Sequence, residues 1–243
     1  MDIPRLRMFA GPNGSGKSTL KELLSPDWLG IYINADDIER AIRVQGGFRV
    51  SDFDIELNQQ QLTDFLSQST LLNSQGLAQV AQSITIVDGY ISFGGLSVNS
   101  YFASALADLM RRRLLENGES FTFETVMSSP DKVELLCDAQ KRGYRTYLYY
   151  VATEDAEINI DRVKTRVEAG GHDVPRDKIV TRYERSLELL NHAVACSNRA
   201  FIFDNSDECH VWVAEVTDGA VLESKVGSLP DWCRRSLWDK FSD

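Results

Sequence analysis

No apolar stretch of this chain approaches the ~20 residues that a membrane-spanning helix requires, so no membrane contact is expected. No leader with a charged start, an apolar middle and a small-residue cleavage site precedes residues 6–10, and the expected setting is the cytoplasm. Cysteine is scarce: Cys137, Cys196, Cys209 and Cys233 lie far apart and form no CxxC pair. That spacing excludes the common zinc motifs, and in a cytoplasmic chain four reduced thiols are expected. Basic residues are outnumbered, 26 Lys and Arg against 36 Asp and Glu, which leaves a net charge of -10. Binding along a nucleic-acid backbone needs clustered cations, so no nucleic-acid partner is expected. A local basic pocket for a small anion is still allowed. Repeats, low-complexity tracts and proline-rich linkers are also missing.

What is present is an ordinary globular composition, 43% hydrophobic and 26% charged, in 243 residues. That length suffices for one α/β domain spanning 1–243. The apolar run 6–10 reads as a buried strand and 17–24 as the helix after it. Residues 30–34 form a second short strand, followed by a helix from Asp36 or Asp37. Residues 120–124 and 145–152 are further strands, the second rich in Tyr and Val. Between them, 131–142 reads as a helix stopped by Gly143, and 200–204 as the last strand of the set. Strands alternating with helices imply a mostly parallel sheet flanked by helices. Residues 45–117 read as a mostly helical insertion with one hairpin turning at Asp88-Gly89. Its last helix carries an apolar stripe of Val98, Phe102, Ala105, Leu106, Leu109 and Met110, and Arg111, Arg112 and Arg113 read as a solvated face. Residues 207–243 read as an appendage: a hairpin turning at Asp218-Gly219, then a helix.

The chemistry starts at Gly11-Pro12-Asn13-Gly14-Ser15-Gly16-Lys17-Ser18-Thr19, which satisfies G-x-x-x-x-G-K-[ST] in full. Glycines let backbone N–H groups turn inward around phosphate oxygens, and the following helix adds its positive end. Lys17 can bridge the β- and γ-phosphates of ATP, and the Ser18 hydroxyl is placed for Mg²⁺. The motif follows an apolar strand and opens a helix, the context it needs. ABC-type ATPases share this wording, but the chain has neither an LSGGQ-like signature nor an apolar run ending in Asp-Glu.

Acids and arginines complete a transferase-like set. Asp36, just past the second strand, can accept a proton from a substrate hydroxyl, while Asp37 caps the helix. Glu124 ends a strand at the sheet edge where α/β proteins bind ligands, as a contact to substrate or metal-bound water. Arg162 and Arg166 stand one turn apart on a helix that ends at Gly170-Gly171. Arg176 and Arg182 open the next helix, which Pro175 introduces. A helix, Gly-Gly, helix element this rich in arginine suits a lid that closes over phosphates. A salt-bridged, solvated helix pair is the alternative. His172, in the turn, can donate to a phosphate or cap the loop.

The blocks GPNGSGKST, INADDI, FTFETVMS, GYRTYLYYVATEDAEINIDRVKTRVEAGGHDVP and FIFDNS, in this order, resemble the zeta-toxin family of P-loop kinases. The resemblance runs from residue 6 to about residue 205. It implies an ATP- and Mg²⁺-dependent kinase acting on the 3′-hydroxyl of the amino sugar in a nucleotide sugar such as UDP-N-acetylglucosamine, held in check by an antitoxin protein. It implies Lys17, Asp36, Arg166 and Arg182 as catalytic groups, and Gly11 to Thr19 as the nucleotide cradle with Ser18 at the metal. Asp36, Glu124, Thr125, Arg162 and Arg176 would face the substrate. Family members follow the strand-end Glu with a Gly-Thr-x-Arg-like segment, where this chain has Thr125-Val126-Met127-Ser128. A different hydroxyl-bearing metabolite is the alternative acceptor, and a nucleotide-gated protein-binding module is the alternative class.

Overall fold

The computed structural model describes residues 3–22, 24–97, 99–171 and 173–241. Val98 and His172 of the sequence reading lie outside these residues. In chain order the elements begin β1 (Arg5–Ala10), α1 (Lys17–Glu22), α2 (Pro26–Leu29), β2 (Ile31–Ile33), α3 (Ala35–Gln45) and β3 (Gly47–Arg49). They continue α4 (Gln59–Gln68), α5 (Thr70–Ser74), α6 (Ala78–Ala81), β4 (Thr85–Val87), β5 (Tyr90–Ser92), α7 (Ser100–Asn117) and β6 (Phe121–Thr125). The chain closes with α8 (Pro130–Lys141), β7 (Arg145–Ala152), α9 (Ala156–Glu168), α10 (Arg176–Ala195), β8 (Arg199–Asp204), β9 (Val211–Thr217), β10 (Val221–Ser224) and α11 (Asp231–Ser236).

Seven strands share a sheet in the order β10-β9-β8-β7-β1-β6-β2. The β1–β7, β7–β8 and β2–β6 pairs are parallel, while β8–β9 and β9–β10 are antiparallel. The expected mostly parallel α/β sheet is therefore present. By its packing the chain divides into two compact units: Met1–Leu29 with Glu124–Asp243, and Gly30–Phe123.

In the first unit, Leu6, Met8, Phe9 and Ala10 are fully buried, as a strand covered on both faces requires. The rings of Phe9, Tyr149, Phe201 and Trp212 step across β1, β7, β8 and β9 with centroids 4.8, 5.1 and 6.0 Å apart. The first two pairs are stacked and the third is tilted, and such contacts add to the gain from burial and favour this strand register. The C-terminal hairpin lies on this sheet, because β9 pairs along β8. Its turn uses Asp218 and Gly219, both with positive φ.

One expectation fails here. Cys137, in the last turn of α8, and Cys196, just past α10, form a disulfide with Cα atoms 4.7 Å apart. The two positions are 59 residues apart in sequence, and only the packing of α10 beside α8 brings them together. Cys209 is exposed, while burial, aided by the charges of Asp204 and Glu154, pushes the Cys233 thiol up to about 12. Alkylation of the native protein should therefore label Cys209 alone. Unfolding without reductant should label two cysteines, and unfolding with reductant all four, as intact-mass measurement can check.

In the second unit, β3, β5 and β4 form a small antiparallel sheet. Asp88 and Gly89 both take positive φ, the geometry of the tight hairpin turn expected there. The third strand, β3, is too short to announce itself. Along α7, Phe102, Ala105, Leu106, Leu109 and Met110 are buried as the stripe predicts. Arg111 does not follow the expectation of a solvated face. It is only 3% exposed, with its guanidinium 5.2 Å from the Phe123 ring centroid. Successive helical residues diverge by about 100°, so three consecutive arginines cannot all face water. Arg112 and Arg113 remain outside, paired with Asp108 and Glu116.

Candidate functional site

The glycine-rich loop joins β1 to α1, and its backbone explains its composition. Gly11, Gly14 and Gly16 have φ of 145°, 77° and 95°. A Cβ on Gly11 would collide with the Val151 carbonyl oxygen, and one on Gly14 would lie 2.6 Å from the Asn159 carbonyl oxygen. Both positions therefore need glycine for conformation and for space. Gly11→Ala is expected to weaken nucleotide binding by roughly tenfold or more, since each 1.4 kcal/mol of strain costs a factor of ten. Titration with a fluorescent ATP analogue, alongside a melting curve, would measure it.

Within the loop, Lys17 is buried and its Nζ donates to the carbonyl oxygens of Gly11 and Pro12 at 2.9 Å each. Ser15 is fully buried, and its hydroxyl has no hydrogen-bond partner among the described residues. A buried hydroxyl with no partner among the described residues, in a loop whose lysine donates to the loop's own carbonyls, fits a cradle that takes phosphate oxygens. The Ser18 hydroxyl, exposed at the start of α1, donates to the Glu124 carboxylate, with oxygens 3.3 and 3.4 Å away. A hydroxyl beside a carboxylate is an all-oxygen donor pair of the kind Mg²⁺ takes. Thr125 Oγ1 accepts from the Met127 backbone N–H at 3.0 Å, and Met127 is buried with φ 52°. The Thr125 hydroxyl thus holds the turn that leaves β6.

In the other unit, Asn34 rather than Asp37 caps α3. Its side chain accepts from the Asp36 N–H at 2.9 Å. A residue in extended conformation just before the first turn can reach that N–H, whereas Asp37 is already helical. Asp37 instead pairs with Arg40. Asp36 stands exposed in the first turn of α3, with no task in the cap beyond its backbone.

The four arginines of the helix pair have different surroundings. Arg182 donates to Asn13 Oδ1 at 3.4 Å and so reaches the phosphate loop itself. The next residue, Tyr183, is buried and donates to the Thr153 carbonyl at 2.7 Å, which pins α10 at this point. Burial raises the phenol well above its usual range, so it stays a donor. Arg176 pairs with Glu157 at the surface. Arg166 is exposed at the end of α9, where its carbonyl accepts from Gly171 N at 2.9 Å. Arg162 donates to the carbonyls of Asn205, Ser206 and Asp207 at 2.6, 3.4 and 2.9 Å, clamping the segment after β8.

That segment holds two residues to which the sequence assigned no role. Asn205 Nδ2 donates to the Ser15 carbonyl at 2.8 Å, and His210 Nε2 lies 3.1 Å from the Gly16 carbonyl. Together with Arg162 they brace the back of the phosphate loop. Asn205 could have been suspected, because it follows a strand at the edge where ligands gather. Nothing in the sequence marks His210. The structure thus gathers Lys17, Ser18, Glu124 and Arg182 around one loop. It ties Arg162 and Arg176 to protein partners, and it carries Asp36 on the separate unit.

A mostly parallel sheet flanked by helices, with this loop after its first strand, is the P-loop kinase fold. The chain belongs to the zeta toxin family, whose model matches residues 96–217, half of its length. A Haemophilus influenzae protein described as uncharacterized is 24% identical over 175 residues, covering 72% of this chain and 89% of the relative. Among solved structures, a complex of AvrRxo1-ORF1 and ORF2 with ATP is similar over 99% of this chain, with TM-score 0.54 and 14% identity. The chain spans 64% of the matched chain's length there, and 61% in the complex with sulphate ions. The PezAT toxin–antitoxin system of Streptococcus pneumoniae matches over 98% of this chain and 80% of its own, with TM-score 0.50 and 15% identity.

Proposed function

We propose that this chain is an ATP-dependent phosphotransferase of the zeta-toxin type, moving the γ-phosphoryl group onto a hydroxyl of a nucleotide sugar such as UDP-N-acetylglucosamine. One observation carries the proposal: the Lys17 loop, the Ser18–Glu124 pair and Arg182 converge on one place. In the transfer, the acceptor oxygen bonds to the γ-phosphorus as the bond to the β,γ-bridging oxygen breaks and ADP leaves. Asp36 takes the hydroxyl proton. Lys17 leaves the Gly11 and Pro12 carbonyls to meet the transferring group, and Arg182, swinging from Asn13, neutralises charge there. Arg166, exposed near the end of α9, would join it. Ser18 and Glu124 would hold Mg²⁺, which when bound offsets phosphate charge. Gly170-Gly171 gives the helix pair its hinge, and closure would exclude water. The similarity to the PezAT toxin–antitoxin system supports an antitoxin as a protein partner.

Incubation with ATP, Mg²⁺ and a panel of nucleotide sugars, read by mass spectrometry, tests the acceptor. A phosphorylated sugar that disappears with Asp36→Asn is the expected product. The buried Met127, where family members carry a Gly-Thr-x-Arg-like segment, favours a second reading in which the acceptor is another small metabolite. In that case the panel stays unmodified while a cell extract yields a phosphorylated compound.

A further inference from the structure

Away from the phosphate loop, Cys137 Sγ, a ring nitrogen of His192 and Cys196 Sγ lie within 4.8 Å of one another. We propose that, once the disulfide is reduced, these three side chains bind a thiophilic divalent cation, Zn²⁺ in the first instance. Three observations point there. His192 and Cys196 are one turn apart, and the helical bond from Cys196 N to His192 O at 3.2 Å fixes their relation. Thr146 Oγ1 donates to the Cys196 carbonyl at 3.0 Å, which anchors that end to β7. Cys137 Sγ stands 3.7 Å from His192 Nε2. With Zn–S near 2.3 Å and Zn–N near 2.1 Å, the S···N edge of a tetrahedron is about 3.6 Å, so that pair already has ligand spacing.

The disulfide is the oxidised form of the same site. A dithiol reductant takes up the sulfur–sulfur bond, giving two thiols here and one disulfide in the reductant. The two sulfurs must then part to about 3.8 Å, the S···S edge of such a site. The half-exposed Cys137 can do this by rotating about its Cα–Cβ bond at the end of α8. Two thiols release two protons to the solvent, and the resulting thiolates neutralise the dication. His192 is exposed, so the fourth position opens to water. Thiolate and imidazole donors select Zn²⁺ or Co²⁺ over Mg²⁺. Binding and oxidation exclude one another, since metal-held sulfurs cannot bond to each other.

The test uses the full chain, reduced and freed of reductant, titrated with Co²⁺ and then Zn²⁺. The expected result is a sulfur-to-cobalt charge-transfer band saturating at one ion per chain, displaced by Zn²⁺ and untouched by Mg²⁺. Cys137→Ser and His192→Asn should each weaken binding by more than about tenfold, since even the loss of outer-shell partners costs that much. Cys209→Ser should bind as wild type does. Near-ultraviolet circular dichroism confirms that each variant is folded. Absence of the band in the reduced wild type would overturn the proposal. So would an unchanged band in Cys137→Ser, which would assign the metal to Cys209 or Cys233.

Discussion

Replacing Lys17 by alanine is expected to lower phosphoryl transfer by about two to three orders of magnitude, the loss typical of one preorganised donor facing transition-state charge. The fold should survive. Lys17 Nζ contributes two hydrogen bonds, to the carbonyls of Gly11 and Pro12, and their loss is confined to the loop. The loop itself is held from behind by Asn205 and His210, which the substitution leaves in place. Steady-state kinetics with ATP, together with a melting curve, separates the two effects. A large drop in kcat with a melting temperature near wild type is the predicted outcome. Wild-type turnover would mean that the loop's lysine does not meet the transferring group.

Asp36→Asn should give the second large effect, a fall in kcat of about 10²–10⁴, the range for a positioned general base. Nucleotide affinity should stay within about twofold, because the side chain is assigned to the acceptor hydroxyl rather than to phosphate. Asp37→Asn provides the control. Its partner is Arg40, three residues on and exposed, and such pairs contribute under about 1 kcal/mol. If Asp37→Asn loses activity while Asp36→Asn keeps it, the two roles are exchanged. Equal, mild effects from both would leave the transfer without a base on α3.

Local sequence signals carried far in this chain. The apolar run of β1, the glycines of the loop and the Asp-Gly turn at Asp88-Gly89 each depend on neighbours a few residues away, and each appears where expected. The strand-end position of Glu124 was legible for the same reason. What stayed hidden depends on contacts between distant segments. The Cys137–Cys196 bond needs α8 and α10 to meet. The brace on the phosphate loop needs Asn205 and His210 to come back to Ser15 and Gly16, about 190 positions earlier. Arg162 looked like a phosphate ligand from its helix face, yet its guanidinium is turned to three carbonyls of the segment after β8. Arg111 was misplaced by treating a run of three arginines as one surface, when helical geometry divides it. The cap of α3 went to Asn34 because extended backbone before the first turn can reach the Asp36 N–H, a one-residue distinction that composition alone does not make.

The most direct measurement follows the label from γ-labelled ATP into a small-molecule extract supplied with the wild type, Lys17→Ala or Asp36→Asn. Transfer into one organic acceptor by the wild type, lost in both variants, is the predicted result. Label that stays in ATP, or is released as inorganic phosphate at the same rate by all three proteins, would contradict it.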